Sequence, residues 1–239
     1  IDPACGSGHF LLGVFWRLME RWEQHAPAMD PWDRISRVLA GLHGVDKNPF
    51  AVSIARFRLL IAVMMVGHVE RLGQTNDFPL NIAVGDSLLH GRGGAGEQGE
   101  LFGGAGFFTY HAEDVGRYIR SVDILGRNSY QVVVGNPPYI PVSDKWENAN
   151  YRKAYRRVCS GKYSLTAPFA ERFFQLAKLP DLDRRGSGYV GQITSNSFMK
   201  REFGKKLIED FFAQRTELTH VIDTSGAFIP GHGTPTVIL

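Results

Sequence analysis

The sequence predicts an α/β protein whose sheet is mostly parallel, doubly wound and covered by helices on both faces. Three observations predict this fold class. Short apolar runs of strand length alternate with longer runs in which apolar residues recur at helical spacing. Several strand-like runs end in an acid or a glycine turn, which is typical of the ligand-binding edge of such a sheet. Hydrophobic residues make up 44% of the 239 residues, so the chain can bury a sizeable core.

The strands are predicted from short apolar segments bounded by acids or turn residues. In chain order they are Ile1, Leu42–Asp46, Leu80–Asp86, Tyr130–Val134, Tyr189–Thr194, Thr219–Asp223 and Thr236–Leu239. The helices are predicted from apolar spacing; the first ends before Pro27 and Pro31, and the second begins at Pro49, where a first turn tolerates proline. In chain order they are His9–Arg21, 49–69, 112–125, Pro168–Leu179 and Lys200–Phe212.

Composition excludes several classes of protein. The net charge of +3 permits a nucleic-acid partner without requiring one. Cys5 and Cys159 are too few for a disulfide framework, and the histidines lack metal-ligand spacing, so no metal site is predicted. The low cysteine count also indicates a reducing cytosol. The longest apolar run, Leu59 to Val66, is too short to span a bilayer, so we predict no membrane partner. Residues 91–106 contain eight glycines and are predicted to form a flexible surface insertion.

The stretch DPACGSGHF, Asp2–Phe10, is predicted to be a glycine turn between a strand and a helix. Gly6 and Gly8 allow the backbone to approach a ligand closely. A nicotinamide dinucleotide is disfavoured, because Leu11 stands where that fingerprint has its third glycine. In addition, Asp46 lies well beyond the spacing of roughly 20 residues that the dinucleotide pattern requires.

Asp46 and Asp86 end two successive predicted strands, and a row of acids suits a cationic ligand that carries hydroxyl and amino groups. S-adenosylmethionine has a sulfonium, a ribose diol and an adenine amine. We predict that Asp46 accepts hydrogen bonds from the ribose hydroxyls and that Asp86 accepts one from the adenine amine. For either acid alone, a helix cap or a turn residue is the alternative interpretation.

The segment YQVVVGNPPYI, Tyr130–Ile140, ends a predicted strand in an amide, two prolines and an aromatic ring. The exocyclic amine of a base is a poor nucleophile, because its lone pair is delocalised into the ring. Two acceptors aimed at its N–H groups localise that lone pair, and we assign this role to the Asn136 amide oxygen and a backbone carbonyl. Pro137 and Pro138 stiffen the loop, and Tyr139 offers a face for a flipped base. A plain proline turn is the alternative, but it does not explain Asn136 or Tyr139.

Four stretches resemble the DNA adenine-N(6) methyltransferases: DPACGSG at Asp2–Gly8, GVDKNPFAVSIAR at Gly44–Arg56, GDSLL at Gly85–Leu89 and NPPY at Asn136–Tyr139. The cofactor motif precedes the catalytic one, as in the gamma-class order. Gly188–Leu207 and Gly226–Leu239 resemble later motifs of the same family. The resemblance is greatest to the large methyltransferases of type IIG restriction systems and of BREX phage-growth-limitation defence.

The resemblance implies that residues 1–239 are the catalytic domain of a longer S-adenosylmethionine-dependent methyltransferase with a Rossmann-like sheet. The family's upstream cofactor motif and target-recognition domain are then missing from this fragment. The implied reaction methylates the exocyclic amine of a flipped adenine in double-stranded DNA. It takes place in the bacterial cytoplasm, and other subunits of a defence system are candidate partners.

The resemblance also assigns individual residues. Phe228 matches the aromatic residue that packs on the flipped base opposite Tyr139. Ser87 departs from the apolar residue common in relatives, so Leu88 is expected to supply a wall of the adenine pocket. The expected cofactor-binding residues are Asp2, Ala4, Gly6, Gly8, Asp46, Asp86 and Leu88.

The stretch Asp144–Tyr163, directly after the catalytic motif, combines basic residues with tyrosines. Tyr151, Tyr155 and Tyr163 suit base stacking, and the basic residues suit phosphate contacts. The residues predicted to contact the DNA backbone are Arg152, Lys153, Arg156, Arg157 and Lys162. A solvated basic helix is the alternative, and we favour that interpretation for the second basic cluster at Lys200–Lys206.

Other functions stay open at this point. A methyltransferase acting on release-factor glutamine also uses NPPY, although its glycine motif differs from DPACGSG. Free adenine or RNA is an alternative substrate. A recognition subunit that binds DNA through an idle methyltransferase fold is the non-enzymatic alternative. The intact set of Asp2, Asp46, Asp86 and Asn136–Tyr139 argues against an idle site.

Overall fold

The computed structural model describes residues 1–75, 78–90, 124–181, 186–227 and 233–239. They fall into two compact units: the first comprises Ile1–Asp86 with Ile124, and the second comprises 87–90 with Leu125–Leu239. The predicted insertion at 91–106, most of the helix predicted at 112–125, and Phe228 lie outside the described residues.

Helices and short strands alternate in the first unit. In chain order they are α1 (His9–His25), α2 (Pro31–Ala40), β1 (His43–Asp46), α3 (Pro49–Val66), a 3₁₀ turn (Leu72–Gln74) and β2 (Asn81–Val84). β1 and β2 are parallel, with Val45 opposite Ala83. Asp2 adds a parallel bridge to Gly44, so its segment, β1 and β2 end at one edge, as predicted.

The helix α2 is missing from the sequence prediction, which treats Pro31 only as the end of α1. Pro31 instead occupies the first turn of α2, where its missing N–H group has no helical partner to lose. The Asp30 carboxylate caps this turn by accepting the N–H groups of Trp32 at 2.8 Å and Asp33 at 3.3 Å. The helix then buries an apolar face made of Ile35, Val38 and Leu39.

The helix α3 begins at a side-chain cap and buries only part of its apolar surface. The Asn48 side-chain oxygen accepts the N–H groups of Phe50 at 3.0 Å and Ala51 at 3.3 Å. Its buried side chains are Val52, Ala55, Leu59, Ala62 and Val63. Its exposed large apolar side chains are Phe50, Ile54, Phe57, Ile61 and Met65. Among the described residues, α3 is the one helix long and apolar enough to cross a membrane, which is weak evidence by itself.

The second unit contains a four-stranded sheet in the order β3-β4-β6-β5. In chain order its elements are β3 (Val132–Gly135), α4 (Lys145–Ala154), α5 (Thr166–Leu176), β4 (Tyr189–Ser195), α6 (Ser197–Lys200), a helical run (Gly204–Lys206, the π-helix Leu207–Phe212 and Ala213–Arg215), β5 (Ile222–Asp223) and β6 (Thr236–Ile238). β3 and β4 are parallel, and β6 is antiparallel to both β4 and β5.

The α/β class is confirmed, but the prediction of a mostly parallel sheet is wrong for the second unit, whose sheet is mixed. The reason lies in the connection between β5 and β6. The described part of that connection contains no helix, and a parallel neighbour needs a crossover that is usually helical. The last strand therefore returns antiparallel to the one before it.

Two helices of the second unit differ from the prediction. The polar stretch after residue 144 contains α4, whose first turn is capped by the Asp144 carboxylate accepting the Glu147 N–H at 2.7 Å. The helix predicted to start at Lys200 is broken, and the longer helical run starts at Gly204. A Cβ atom on Gly204 would overlap the carbonyl of Phe198, so the close approach of these two segments requires glycine.

Candidate functional site

Asp46 holds the glycine loop between Asp2 and α1 in place. Its Oδ2 atom accepts the N–H of Gly6 at 2.9 Å, and its Oδ1 atom accepts the N–H of Asn48 at 2.8 Å. Each carboxylate oxygen has two acceptor sites, so both keep capacity for a ligand hydroxyl. Asp46 is thus able to order the loop and bind a ligand with the same carboxylate.

The two glycines of the loop have different roles. Both adopt left-handed backbone angles, with φ of +50° at Gly6 and +85° at Gly8. A Cβ on Gly8 would lie 2.9 Å from the Cβ of Ala55, so Gly8 permits close packing of the loop on α3. Among the described residues other than its two chain neighbours, none has an atom within 4 Å of the Cβ position of Gly6, so this side of the loop has room for a ligand.

The predicted cofactor residues Asp2 and Ala4 contact each other. The Ala4 N–H donates to Asp2 Oδ1 at 3.0 Å, which shapes the start of the loop. Burial raises the pKa of Asp2 to about 7.

Arg58 of α3, a residue not predicted to contribute, adds a second anchor for the glycine loop. Its Nη1 atom donates to both the carbonyl and the hydroxyl oxygen of Ser7 at 3.1 Å.

Asp86 is buried and already has a cationic neighbour. Its side chain is 3% exposed, and its Oδ2 atom lies 3.5 Å from Nζ of Lys47. Sequence reasoning does not pair these residues, although Lys47 directly follows the acid that ends β1. A ligand amine at Asp86 has to share this carboxylate with Lys47.

In the second unit, the NPPY loop leaves the end of β3. Asn136 is exposed, Pro137 is buried and Tyr139 is partly buried. The Tyr139 hydroxyl donates a hydrogen bond to the Asn136 side-chain oxygen, which orients the amide. Burial raises the pKa of Tyr139, so this hydroxyl stays protonated and remains a donor at neutral pH.

The far end of the NPPY loop is fixed by backbone pairing. The Ile140 carbonyl accepts the Leu165 N–H at 2.9 Å, and Pro141 forms an antiparallel bridge with Ser164. The loop is therefore held by β3 on one side and by the residues that precede α5 on the other. Asn136 and Tyr139 are presented by a segment anchored at both ends.

The tyrosines of the basic stretch do not offer faces for base stacking, which corrects the prediction for them. Tyr151, Tyr155 and Tyr163 are each at most 3% exposed. Tyr151 and Tyr155 are four residues apart at the end of α4 and turn to the same buried side. Their neighbourhood is core, so these rings stabilise the unit rather than contact a substrate.

The basic side chains of the same stretch are exposed, as their predicted role requires. They are Arg152, Lys153, Arg156, Arg157 and Lys162. Arg152 is fixed by its Nη2 donating to the Gly161 carbonyl at 2.7 Å and by its guanidinium lying 5.1 Å from the centre of the Tyr163 ring. Lys206 from the second basic cluster donates to the Arg156 carbonyl at 3.2 Å, so the two clusters adjoin.

Residues 87–90, which follow Asp86, are bound by two buried side chains that sequence reasoning does not single out for this role. Leu88 is buried, and its carbonyl accepts the Tyr155 hydroxyl at 2.7 Å. Arg172 of α5 donates from Nε to the Ser87 carbonyl at 2.6 Å and from Nη2 to the His90 and Leu125 carbonyls, both at 2.8 Å. An arginine within an apolar helical run is the only sequence signal for such an anchor.

Across the described ranges, no group of three or more His, Cys, Asp or Glu side chains is arranged to hold a metal ion. The polar groups of the two regions are instead acids that accept N–H groups and an amide next to an aromatic ring. Such groups suit recognition of hydroxyl and amino groups on organic ligands.

Several known proteins are similar to this chain in sequence. A family model described as Eco57I restriction-modification methylase matches residues 41–229. The adenine-specific methyltransferase PglX of Streptomyces coelicolor is 53% identical over an alignment covering 100% of this chain and 20% of PglX. The type II restriction enzyme and methyltransferase RM.Eco57I of Escherichia coli is 24% identical, over 92% of this chain and 22% of that protein. The chain thus spans about a fifth of the length of these relatives.

A solved structure has a similar fold. It is a nuclease-deletion mutant of the Type ISP restriction-modification enzyme LlaGI in complex with a DNA substrate mimic. It matches with a TM-score of 0.63 and 16% identity, over 99% of this chain and 20% of that chain. The resemblance inferred from the sequence motifs is confirmed by the family match, and the chain belongs to the Eco57I restriction-modification methylases.

Proposed function

We propose that the protein containing this chain transfers a methyl group to the exocyclic amine of adenine in double-stranded DNA, within a restriction-modification or phage-defence system. The observation that carries the proposal is the Asn136 amide oxygen, oriented by the Tyr139 hydroxyl at the end of β3. The name of the relative PglX supports adenine as the target, the family match supports a restriction-modification setting, and the DNA substrate mimic bound by LlaGI supports DNA as the substrate. The doubly wound, Rossmann-like arrangement of the sheet stays a prediction.

The loop and acids of the first unit fit S-adenosylmethionine as the methyl donor. When bound, this cofactor supplies a methyl group on a cationic sulfur. The open space at Gly6 and the spare acceptor sites of Asp46 suit a ligand with a ribose diol, and the buried Asp86 suits an amine. Together with Asp2, Ala4, Gly8 and Leu88, these residues are the proposed cofactor contacts.

The proposed acceptor side works by positioning rather than by acid–base chemistry. The Asn136 oxygen accepts one N–H of the target amine, and a backbone carbonyl of the loop accepts the other. The lone pair of the amine is then localised and free to attack. An amide oxygen has two acceptor sites, so Asn136 is able to hold the Tyr139 hydroxyl and the amine together.

DNA is the proposed partner, and the target adenine has to leave the helix because its amine is otherwise paired and stacked. Exposed basic side chains in the last turn of α4 and directly after it supply candidate phosphate contacts, with Arg152 held in a fixed orientation. Phe228 is the proposed second aromatic contact to the flipped base. Other defence-system subunits and the bacterial cytoplasm complete the proposed setting.

The test of the proposal is methyl transfer by the full-length natural protein. Radiolabelled S-adenosylmethionine is supplied with duplex DNA, RNA and cell protein in parallel, and modified adenines are mapped in DNA from cells with and without the intact gene. We expect label in duplex DNA and gene-dependent adenine modification. Label in protein glutamine, or in none of the three acceptors, contradicts the proposal.

The Tyr139 ring is expected to matter more than its hydroxyl. Tyr139→Ala removes a stacking surface worth about 1–3 kcal/mol and should weaken capture of the flipped base. Tyr139→Phe keeps the ring and loses only the hydrogen bond to Asn136, so its effect on turnover should be far smaller. Single-turnover methyl transfer measures both variants, and equal damage by the two substitutions contradicts the assigned stacking role.

The glycine-rich insertion at 91–106 is expected to be dispensable for chemistry. Arg172 Nη2 donates to the carbonyls of both His90 and Leu125, so one guanidinium holds the described chain at residue 90 and again at residue 125. Replacing 91–106 by a short Gly-Ser linker should change turnover by no more than a few-fold, because loop closure depends weakly on length. Turnover and thermal unfolding are measured together. Lost turnover in a folded variant indicates that the insertion takes part.

A further inference from the structure

Side-chain donors bind three of the four backbone carbonyls between residues 87 and 90. Arg172 binds those of Ser87 and His90, and Tyr155 binds that of Leu88, at 2.6, 2.8 and 2.7 Å. Both donors are 3% exposed. All five residues belong to the second unit. We call this arrangement, Arg172 and Tyr155 with the carbonyls of 87–90, the carbonyl clamp.

Burying the charged and polar groups of the clamp is unfavourable compared with filling the same space with apolar side chains. A guanidinium loses its hydration when buried, and apolar side chains of similar volume fill such a space without that cost. Arg172 stands in the run Ala167–Leu176, where its neighbours Phe169, Ala170 and Phe173 are buried apolar residues. Three hydrogen bonds of the buried cation and the buried phenol converge on one short segment and restrict its backbone, while Arg172 also binds the Leu125 carbonyl and the Gln175 side chain.

We infer that Arg172 and Tyr155 are positioning residues for the cofactor, because they fix the segment that carries Leu88. The inference rests on the proposed function, in which Leu88 forms a wall of the adenine pocket. Neither donor needs to touch the cofactor. Fixing the carbonyls of Ser87, Leu88 and His90 fixes the direction of the intervening Cα–Cβ bonds, and a preformed wall spares the cofactor the cost of ordering it.

The decisive variant is Tyr155→Phe, which removes one hydroxyl and keeps a buried ring. Tyr163→Phe is its matched control, since the hydroxyl of that equally buried residue donates instead to the Asn148 carbonyl at 3.0 Å. Arg172→Lys keeps the charge, but a single ammonium group cannot donate to several carbonyls at once as the planar guanidinium does. In the full-length protein we expect Tyr155→Phe to raise the Kd for S-adenosylmethionine about fivefold, and Arg172→Lys to raise it about tenfold or more.

A positioning role predicts effects that general destabilisation does not. Turnover at saturating S-adenosylmethionine should stay within about twofold of the parent, because the clamp acts on binding and not on the attacking amine. Amide hydrogen exchange in the peptide that contains 87–90 should be faster in both variants without cofactor, and unchanged in Tyr163→Phe. The double variant Tyr155→Phe/Arg172→Lys should raise the Kd for S-adenosylmethionine by less than the product of the two single fold-changes, because both residues hold the same segment.

Faster exchange at 87–90 together with a raised Kd supports the inference. An unchanged Kd in Tyr155→Phe overturns it, whether or not exchange changes, and so does an equal rise in Kd in Tyr163→Phe. If Arg172→Lys fails to fold, Tyr155→Phe still decides the matter. A parent protein that binds no S-adenosylmethionine overturns the proposed function and this inference together, whereas unchanged binding in the variants of a binding-competent parent overturns this inference alone.

Discussion

Asn136→Ala is expected to lower the turnover of methyl transfer by about 100-fold or more, the scale for loss of a preorganised electrostatic contact. The substitution removes the oxygen that accepts the target amine, together with the hydrogen bond that this oxygen accepts from the Tyr139 hydroxyl. No proposed cofactor contact is altered, because those residues are on other segments. Single-turnover methyl transfer to duplex DNA measures the loss, and calorimetry with S-adenosylmethionine should give nearly the parent affinity.

Two controls separate chemistry from base capture for this variant. A duplex with 2-aminopurine at the target position reports extrusion of the base by its fluorescence. Asn136→Ala should extrude this base nearly as well as the parent, whereas Tyr139→Ala should not, because stacking depends on the ring. Near-parent turnover in Asn136→Ala means that the amide oxygen is not the acceptor assigned here.

Asp46→Ala is expected to weaken S-adenosylmethionine binding by roughly 1.5–3 kcal/mol, as for loss of a charge-assisted hydrogen bond. The carboxylate has two tasks, since it also accepts the N–H groups of Gly6 and Asn48. Its removal therefore takes away a ligand acceptor and loosens the loop that surrounds the ligand. Calorimetry on the full-length protein measures the affinity for S-adenosylmethionine. Thermal unfolding measures how much the loss of the hydrogen bonds to Gly6 and Asn48 destabilises the protein.

Asp46→Asn and Asp86→Ala serve as comparisons for this prediction. The side-chain amide introduced by the first substitution keeps one oxygen for a backbone N–H but loses the charge, so the affinity of this variant should lie between those of the parent and Asp46→Ala. Asp86→Ala removes the partner of Lys47 and the proposed acceptor for the adenine amine. Unchanged affinity in both alanine variants contradicts the assignment of these acids to the cofactor.

Residues at strand ends are predictable because the signal is local. Asp46 ends a short apolar run before a helix that starts with proline, and Asn136 follows another such run before two prolines. The structure has strands ending at Asp46 and at Gly135, next to Asn136. Local pattern also predicts the approximate positions of α1, α3 and α5.

Features that depend on tertiary contact are not predictable in this way. The spacing of Tyr151, Tyr155 and Tyr163 among basic residues is compatible with a stacking surface or with a buried face. Tertiary packing determines which of the two forms, and in the structure the three rings are buried. The ion pair of Lys47 with Asp86 joins the ends of two strands that are distant in sequence. A proline at residue 31 is compatible with the end of one helix or the start of the next, and the cap at Asp30 shows that Pro31 starts α2.

The exposed apolar face of α3 has a consequence for work with this chain in solution. Phe50, Phe57 and Met65 are 78%, 61% and 62% exposed, and the net charge of +3 gives little mutual repulsion between molecules. Molecules that present such a face associate more readily as concentration rises or as sulfate and phosphate are added. Light scattering of the isolated chain should therefore depend on concentration and on the choice of salt, and low-sulfate buffers suit its purification.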